Sequence, residues 1–158
     1  MIINGKILVP TDFSKQSNEA LRRACLLAAQ LKAEVHLLHV IESAIYIDAD
    51  LLLITPIDEI VKIKHDRATK QLAEQATSVE ATVTTHLKEA DNNISLVICD
   101  FSTNLNADLI VIGRHGDKGM FEHMMLGSTA ERVVRHAPCS VLVVMPHGIL
   151  GDTPSLCV

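Results

Sequence analysis

The stretch "ADLIVIGRHGDKGMFEHMMLGST", Ala107–Thr129, holds the pattern on which the fold turns. It starts with a short, nearly continuous apolar run, the pattern of a strand covered by helices on both faces. Glycines recur from Gly113 onward, and a helix follows from about Ser128 to Ala137, stopped by Pro138. "SVLVV", Ser140–Val144, is then a further apolar strand. Two buried strands joined by a helix imply a parallel pair, because parallel neighbours need a crossover of that length.

The same alternation extends back to the N-terminus. "KILVP", Lys6–Pro10, is an apolar strand ended by a residue that cannot donate a ladder hydrogen bond. Ser14 is placed to cap a helix whose apolar face is Leu21, Ala24, Cys25, Ala28 and Leu31. "AEVHLLHVI", Ala33–Ile41, is a second buried strand. Thr55, Pro56 and Asp58 mark a fresh helix start, and Ile57, Ile60, Val61, Ala68, Leu72 and Ala76 carry the helix. "ATVTTHL", Ala81–Leu87, is a β-branched strand, and Ile94, Val97, Ile98, Phe101 and Leu105 recur at helical spacing after it. Five strands alternating with helices define an α/β domain with a mainly parallel sheet.

Length and charge narrow the function. At 158 residues the chain suits one domain, expected over residues 1–146, with 147–158 as a C-terminal tail. A net charge of -5 supplies no basic field for nucleic acid or anionic membranes, so neither is expected as a partner. No apolar run has the length of about 18 residues that a membrane span needs, and a cytoplasmic location is the default. Cys25, Cys99, Cys139 and Cys157 lack C-x-x-C spacing, and buried thiols are the reading for Cys25 and Cys99.

In open α/β sheets a ligand settles outside the carboxyl ends of the strands. The loops at that edge are "PTDFS", "ESAIYIDAD", "KEADNN" and the glycine stretch. Glycines let successive N–H groups face one concavity, and a following helix N-terminus adds positive partial charge, which together suit phosphate. Arg114, His115 and Lys118 can add charge from the same loop, and Ser128 and Thr129 can add donors. A structural reading stands beside this one: Ser128 and Glu131 have the spacing of a capping box, which would spend the hydroxyl on the helix itself. Asp12 likewise suits either a local turn or a ligand. His36 and His39, three apart in a strand, fall on opposite faces and make no ligand pair by themselves. The P-loop pattern and the G-x-G-x-x-G pattern after the first strand are both absent.

"GRHG" with "GST", preceded by "ADLIVI" and followed by "AERVVRHAPCSVLVV", resembles the universal stress protein family. "KILVPTDFS" and "VHLLHV" match its first two strands, so the resemblance covers about Lys6–Met145. It implies a Rossmann-like, five-stranded parallel open sheet of order 3-2-1-4-5 with helices on both faces. That order would bring the loops after strands one and four into one crevice. The family's ATP-binding members carry G-x-x-G, nine residues, then G-[ST]; Gly113, Gly116, Gly127 and Ser128 match, over a spacer of ten.

By this resemblance Pro10, Thr11 and Asp12 meet base and ribose, Val40 reads the adenine through its backbone, and Ile112 and Gly113 line the ribose side. His115, Gly116, Gly127, Ser128 and Thr129 meet the phosphates of ATP, with Mg²⁺ sharing their charge. Arg114 is counted with these candidates, although a solvated side chain is its simpler reading. The implied function is a cytoplasmic, nucleotide-dependent stress sensor, homodimeric through its last strand, with at most slow hydrolysis. The longer spacer motivates an alternative, a dimeric interaction module without ATP, and an adenine-nucleotide α-hydrolase-like enzyme is the third.

Overall fold

The computed structural model describes residues 5–43, 57–115 and 126–145. Their elements are β1 (Lys6–Thr11), α1 (Lys15–Leu31), β2 (Glu34–Glu42), α2 (Ile57–Thr77), β3 (Val83–Ala90), α3 (Ile94–Leu105), β4 (Leu109–Gly113), α4 (Ser128–His136) and β5 (Ser140–Val144). All five strands run parallel in the order β3-β2-β1-β4-β5, as the resemblance implied. The third strand lies further along the chain than its β-branched residues suggested, starting at Val83 and continuing to Ala90. The proposed helix start at Thr55 and Pro56, and the tail 147–158, lie outside the described residues.

The strand period sorts the core into two halves. Ile7, Val9, Val35, Leu37, Leu109 and Val111 face one side, where Ala20, Leu21, Ala24 and Ala28 of α1 and Leu72 of α2 cover them. Leu8, Leu38, Val40, Ile110 and Ile112 face the other, under Ile98 of α3 and Ala130 and Val133 of α4. Alternate residues therefore serve opposite layers, and the central strands need apolar residues at nearly every position. His36 and His39 point to opposite layers as expected: His36 Nδ1 lies 3.0 Å from His86 Nε2, and His39 Nδ1 lies 2.8 Å from the Thr11 carbonyl oxygen.

Local signals set the helix ends. Ser14 caps α1 by accepting from the Ser17 N–H at 3.2 Å. Lys32 and Asn106 end α1 and α3 in the left-handed region, a conformation that asparagine tolerates better than lysine does. Leu31, read as part of the buried face of α1, is exposed because it sits in the last turn, beyond the strands the helix covers. Cys99 is buried and Cys25 and Cys139 are half-buried, and burial pushes each thiol above its ordinary pKa. Among the described residues no helix is long and apolar enough to cross a membrane.

Candidate functional site

The β1–β2 ladder continues to the Thr11–His39 pair, but the β1–β4 register covers only Ile7–Leu109 and Leu8–Ile110. Beyond those pairs β1 and β4 part. α1 leaves β1 for one layer while α4 follows β4 in the other, so a crevice opens between their carboxyl ends. It holds a cavity of about 730 Å³, a size typical of small-molecule sites. Pro10, Thr11, Asp12, Val40, Ile112, Gly113, Arg114, His115, Gly127, Ser128 and Thr129 all line it. Gly116, Asp117, Lys118, Glu122 and His123 lie outside the described residues.

The wall from β1 is a tight turn. Thr11 is buried, and its hydroxyl lies 2.8 Å from Gln75 Oε1 and 3.0 Å from the Phe13 N–H nitrogen, so this side chain serves the protein's interior. Phe13 has a φ of 65°, an uncommon conformation for a bulky residue. Asp12 between them is exposed, and its Oδ1 accepts from the Ser14 N–H at 3.1 Å. The local-turn reading of Asp12 therefore holds, and the residue also lines the cavity.

The opposite wall departs from the sequence reading twice. Gly127, not Ser128, is the N-cap of α4, and among the described residues no side chain caps that helix. The Glu131 N–H donates to the Gly127 carbonyl at 2.8 Å, and the Glu131 carboxylate pairs with Arg135 at 2.8 Å instead of closing a capping box. Close packing decides this: a Cβ on Gly127 would stand 3.1 Å from the Arg114 carbonyl oxygen and 3.3 Å from His115 Cα, and the Gly127 N–H donates to that carbonyl at 2.9 Å. The helix thus starts one residue earlier than a serine cap would allow. Its first N–H groups, at Ser128, Thr129 and Ala130, precede the first intrahelical donor and line the cavity.

The second departure is Arg114, which is only 9% exposed rather than solvated. Its N–H donates to the Val144 carbonyl at 3.0 Å and its guanidinium lies 3.6 Å from Met145 Sδ, so β5 draws it inward. Beside it, His115 Nε2 is buried without a hydrogen-bond partner among the described residues. A buried polar atom left unpaired costs about 1–3 kcal/mol, which a hydrogen-bonding ligand would recover. Gly113 is needed for contact with α1, since a Cβ there would lie 3.1 Å from the Gln16 backbone.

Sequence reading missed the third wall. Lys64, Arg67 and Gln71 of α2 line the same cavity, with Ala68 between them. Their spacing of i, i+3 and i+7 is a polar stripe on one helical face, a signal that only an apolar-face search overlooks. Lys64 and Arg67 bring positive charge to a crevice whose carboxylates, among the described residues, are those of Asp12 and Glu42. His39 was also missed. It lines the cavity, packs its ring tilted against Phe13 with centroids 4.3 Å apart, and burial lowers its pKa against the weaker opposing pull of the Thr11 carbonyl and Asp12.

His86 is also held below its ordinary value, first by burial and then by His36 and Lys88. Both imidazoles are easier to protonate unfolded than folded. Their neutral state is shared by both forms above the unfolded pKa of about 6.5, and stability is lost as pH falls below it towards the folded values. Urea midpoints should therefore fall between pH 7 and pH 5, and His86→Gln should make that fall shallower. An unchanged slope in His86→Gln would contradict the assignment.

A doubly wound parallel sheet with a crevice at its switch point defines an α/β domain whose ligand position is the carboxyl edge of its strands. The sequence matches the universal stress protein family over residues 4–145, and the chain belongs to that family. A universal stress protein of Methanocaldococcus jannaschii is 34% identical over 143 residues, covering 88% of this chain and 81% of that one. The structure of universal stress protein UspA from Lactobacillus plantarum is similar with a TM-score of 0.66 at 27% identity, over 89% of this chain and 97% of that one. A universal stress protein from Archaeoglobus fulgidus, solved in complex with dAMP, shares the fold with a TM-score of 0.61 at 21% identity, over 90% and 98% of the two chains.

Proposed function

We propose that this chain is a cytoplasmic stress-response regulator that binds ATP with Mg²⁺ in the crevice between β1 and β4. One observation carries the reading: the first N–H groups of α4, the His115 Nε2 that has no hydrogen-bond partner among the described residues, and the Val40 strand end line one cavity. The α4 amides and His115 suit phosphate oxygens, Asp12 suits ribose hydroxyls, and the Val40 backbone suits the adenine edge. Gly116, in the same loop, belongs to the proposed phosphate grip. Mg²⁺ would arrive on the phosphates and share their charge. The dAMP complex of the Archaeoglobus relative supports an adenine nucleotide as the ligand class.

The proposal includes a homodimer through β5. That strand closes the sheet, and Leu142 and Met145 are 40% and 47% exposed beside a groove lined by Leu26 and Leu27 of α1. An apolar edge strand left open is a template for pairing.

Calorimetry and thermal denaturation with Mg-ATP test the ligand. Saturation at about a hundred times Kd should stabilise the fold by about 2.7 kcal/mol, with ATP recovered intact. No heat and no shift at millimolar ATP would overturn the reading in favour of an interaction module. AMP and pyrophosphate among the products would favour the hydrolase-like alternative.

A further inference from the structure

We propose that His39 and Gln75 are positioning residues that hold the β1–α1 turn in its ligand-facing shape by gripping Thr11 from two other elements. The proposal rests on the crevice being the nucleotide site. Thr11 ends β1; besides the Ser17 hydroxyl of α1, 3.0 Å from its own, two contacts from other elements fix it. Its carbonyl oxygen lies 2.8 Å from His39 Nδ1 on β2. A carbonyl can only accept, so Nδ1 carries the proton and Nε2 is left as the acceptor of the neutral ring. Its hydroxyl meets Gln75 Oε1 at 2.8 Å, and Gln75, 6% exposed, is itself oriented by donating Nε2 to Asn18 Oδ1 at 2.6 Å. Thr11 is thus tied to β2 through its backbone and to α2 and α1 through its side chain.

What the grip holds is a strained turn. Phe13 adopts a φ of 65°, which costs a bulky residue free energy unless its surroundings over-determine it. Two contacts do so, and both run through the grip: the Phe13 N–H donates to Thr11 Oγ1 at 3.0 Å, and the Phe13 ring rests 4.3 Å from the His39 ring. Asp12 stands between these two anchored residues. Its carboxylate direction therefore depends on groups that need not touch a nucleotide. Loss of either anchor lets Phe13 relax towards negative φ, and Asp12 turns away from the cavity. Gln75 also couples the turn to α2, the helix whose Lys64, Arg67 and Gln71 line the third wall.

The test compares His39→Phe, His39→Asn, His39→Gln and Gln75→Leu in the full chain, by Mg-ATP calorimetry and by amide hydrogen exchange of the free protein. Asparagine places an N–H near the position of Nδ1, whereas glutamine places one too far out, so the pair varies reach at constant chemistry. We expect His39→Phe, His39→Gln and Gln75→Leu to weaken Mg-ATP binding roughly tenfold, the scale of one lost positioning hydrogen bond. Exchange at Phe13 and Ser14 should quicken while Leu8 and Val9 in the strand stay protected, and His39→Asn should restore both readouts. Wild-type affinity and exchange in Gln75→Leu and His39→Gln would overturn the proposal, as would equal losses in His39→Asn and His39→Gln. Should the unaltered protein fail to bind Mg-ATP, the nucleotide reading falls. The exchange results then decide the grip separately, with quickening confined to the turn supporting it and no quickening overturning it.

Discussion

Gly127→Val is expected to weaken Mg-ATP binding by about a hundredfold, the scale of a misplacement of about 1 Å in a binding group. The backbone of residue 127 has φ -60° and ψ 148°, which valine adopts readily, so the effect does not come from glycine's conformational freedom. It comes from space. A Cβ at this position meets the Arg114 carbonyl oxygen at 3.1 Å and His115 Cα at 3.3 Å, and both are parts of the main chain that cannot swing aside. Valine adds two methyl groups to that contact and drives the start of α4 away from His115. The two halves of the proposed phosphate grip then separate. Gly127→Ala needs a displacement of only a few tenths of an ångström, and its expected loss is about three- to tenfold, below the steep part of the same dependence. Calorimetry across glycine, alanine and valine checks the grading. Equal affinities in all three would refute a grip that spans Arg114–His115 and the α4 N-terminus.

Leu8→Ala is expected to cost about 3–4 kcal/mol of folding stability, near the middle of buried Leu→Ala substitutions. Leu8 is fully buried in β1, the strand between β2 and β4, and pairs with His36 on one side and Ile110 on the other. Leu38, Ile98, Ile110 and Val133 belong to the same core. Strands fixed on both edges cannot close onto the space that the lost methyl groups leave, which keeps the loss away from the low end of that range. For a chain of this size the midpoint of thermal unfolding should drop by about 10 °C. Leu8 does not line the crevice, so Mg-ATP affinity of the folded fraction should stay within about threefold of wild type, as expected for separate sites. Chemical denaturation and calorimetry on the same variant read the two effects apart. A stability loss under about 1 kcal/mol would show a core that collapses around the deletion, contrary to this sheet geometry.

The contrast between these two sites follows what a sequence can express. Leu8 was legible because burial on both faces writes itself as an apolar run, and "KILVP" and "ADLIVI" needed no partner to be recognised as strands. The glycines of the β4–α4 connection were legible as a loop shaped for close approach. The use of Ser128 was not. Its spacing to Glu131 satisfies the capping-box rule, and only contact between Gly127 and the Arg114 carbonyl moves the helix start forward. Arg114 reads as a surface charge until β5 is beside it. His39 reads as an incidental strand residue until the end of β1 arrives against it from 28 positions away.

Periodicity, capping residues and glycine spacing, all of which act within a few turns of chain, determined by themselves the alternation of strands and helices and the glycine-bearing connection from β4 to α4. The order of the strands was legible only through the family resemblance, while the parting of β1 from β4 and the meeting of Thr11, His39 and Gln75 were decided by tertiary structure alone. The physical reason is range. A local rule sees the residues that share a turn, whereas a crevice at a switch point is made by segments that become neighbours only after the sheet has assembled around them.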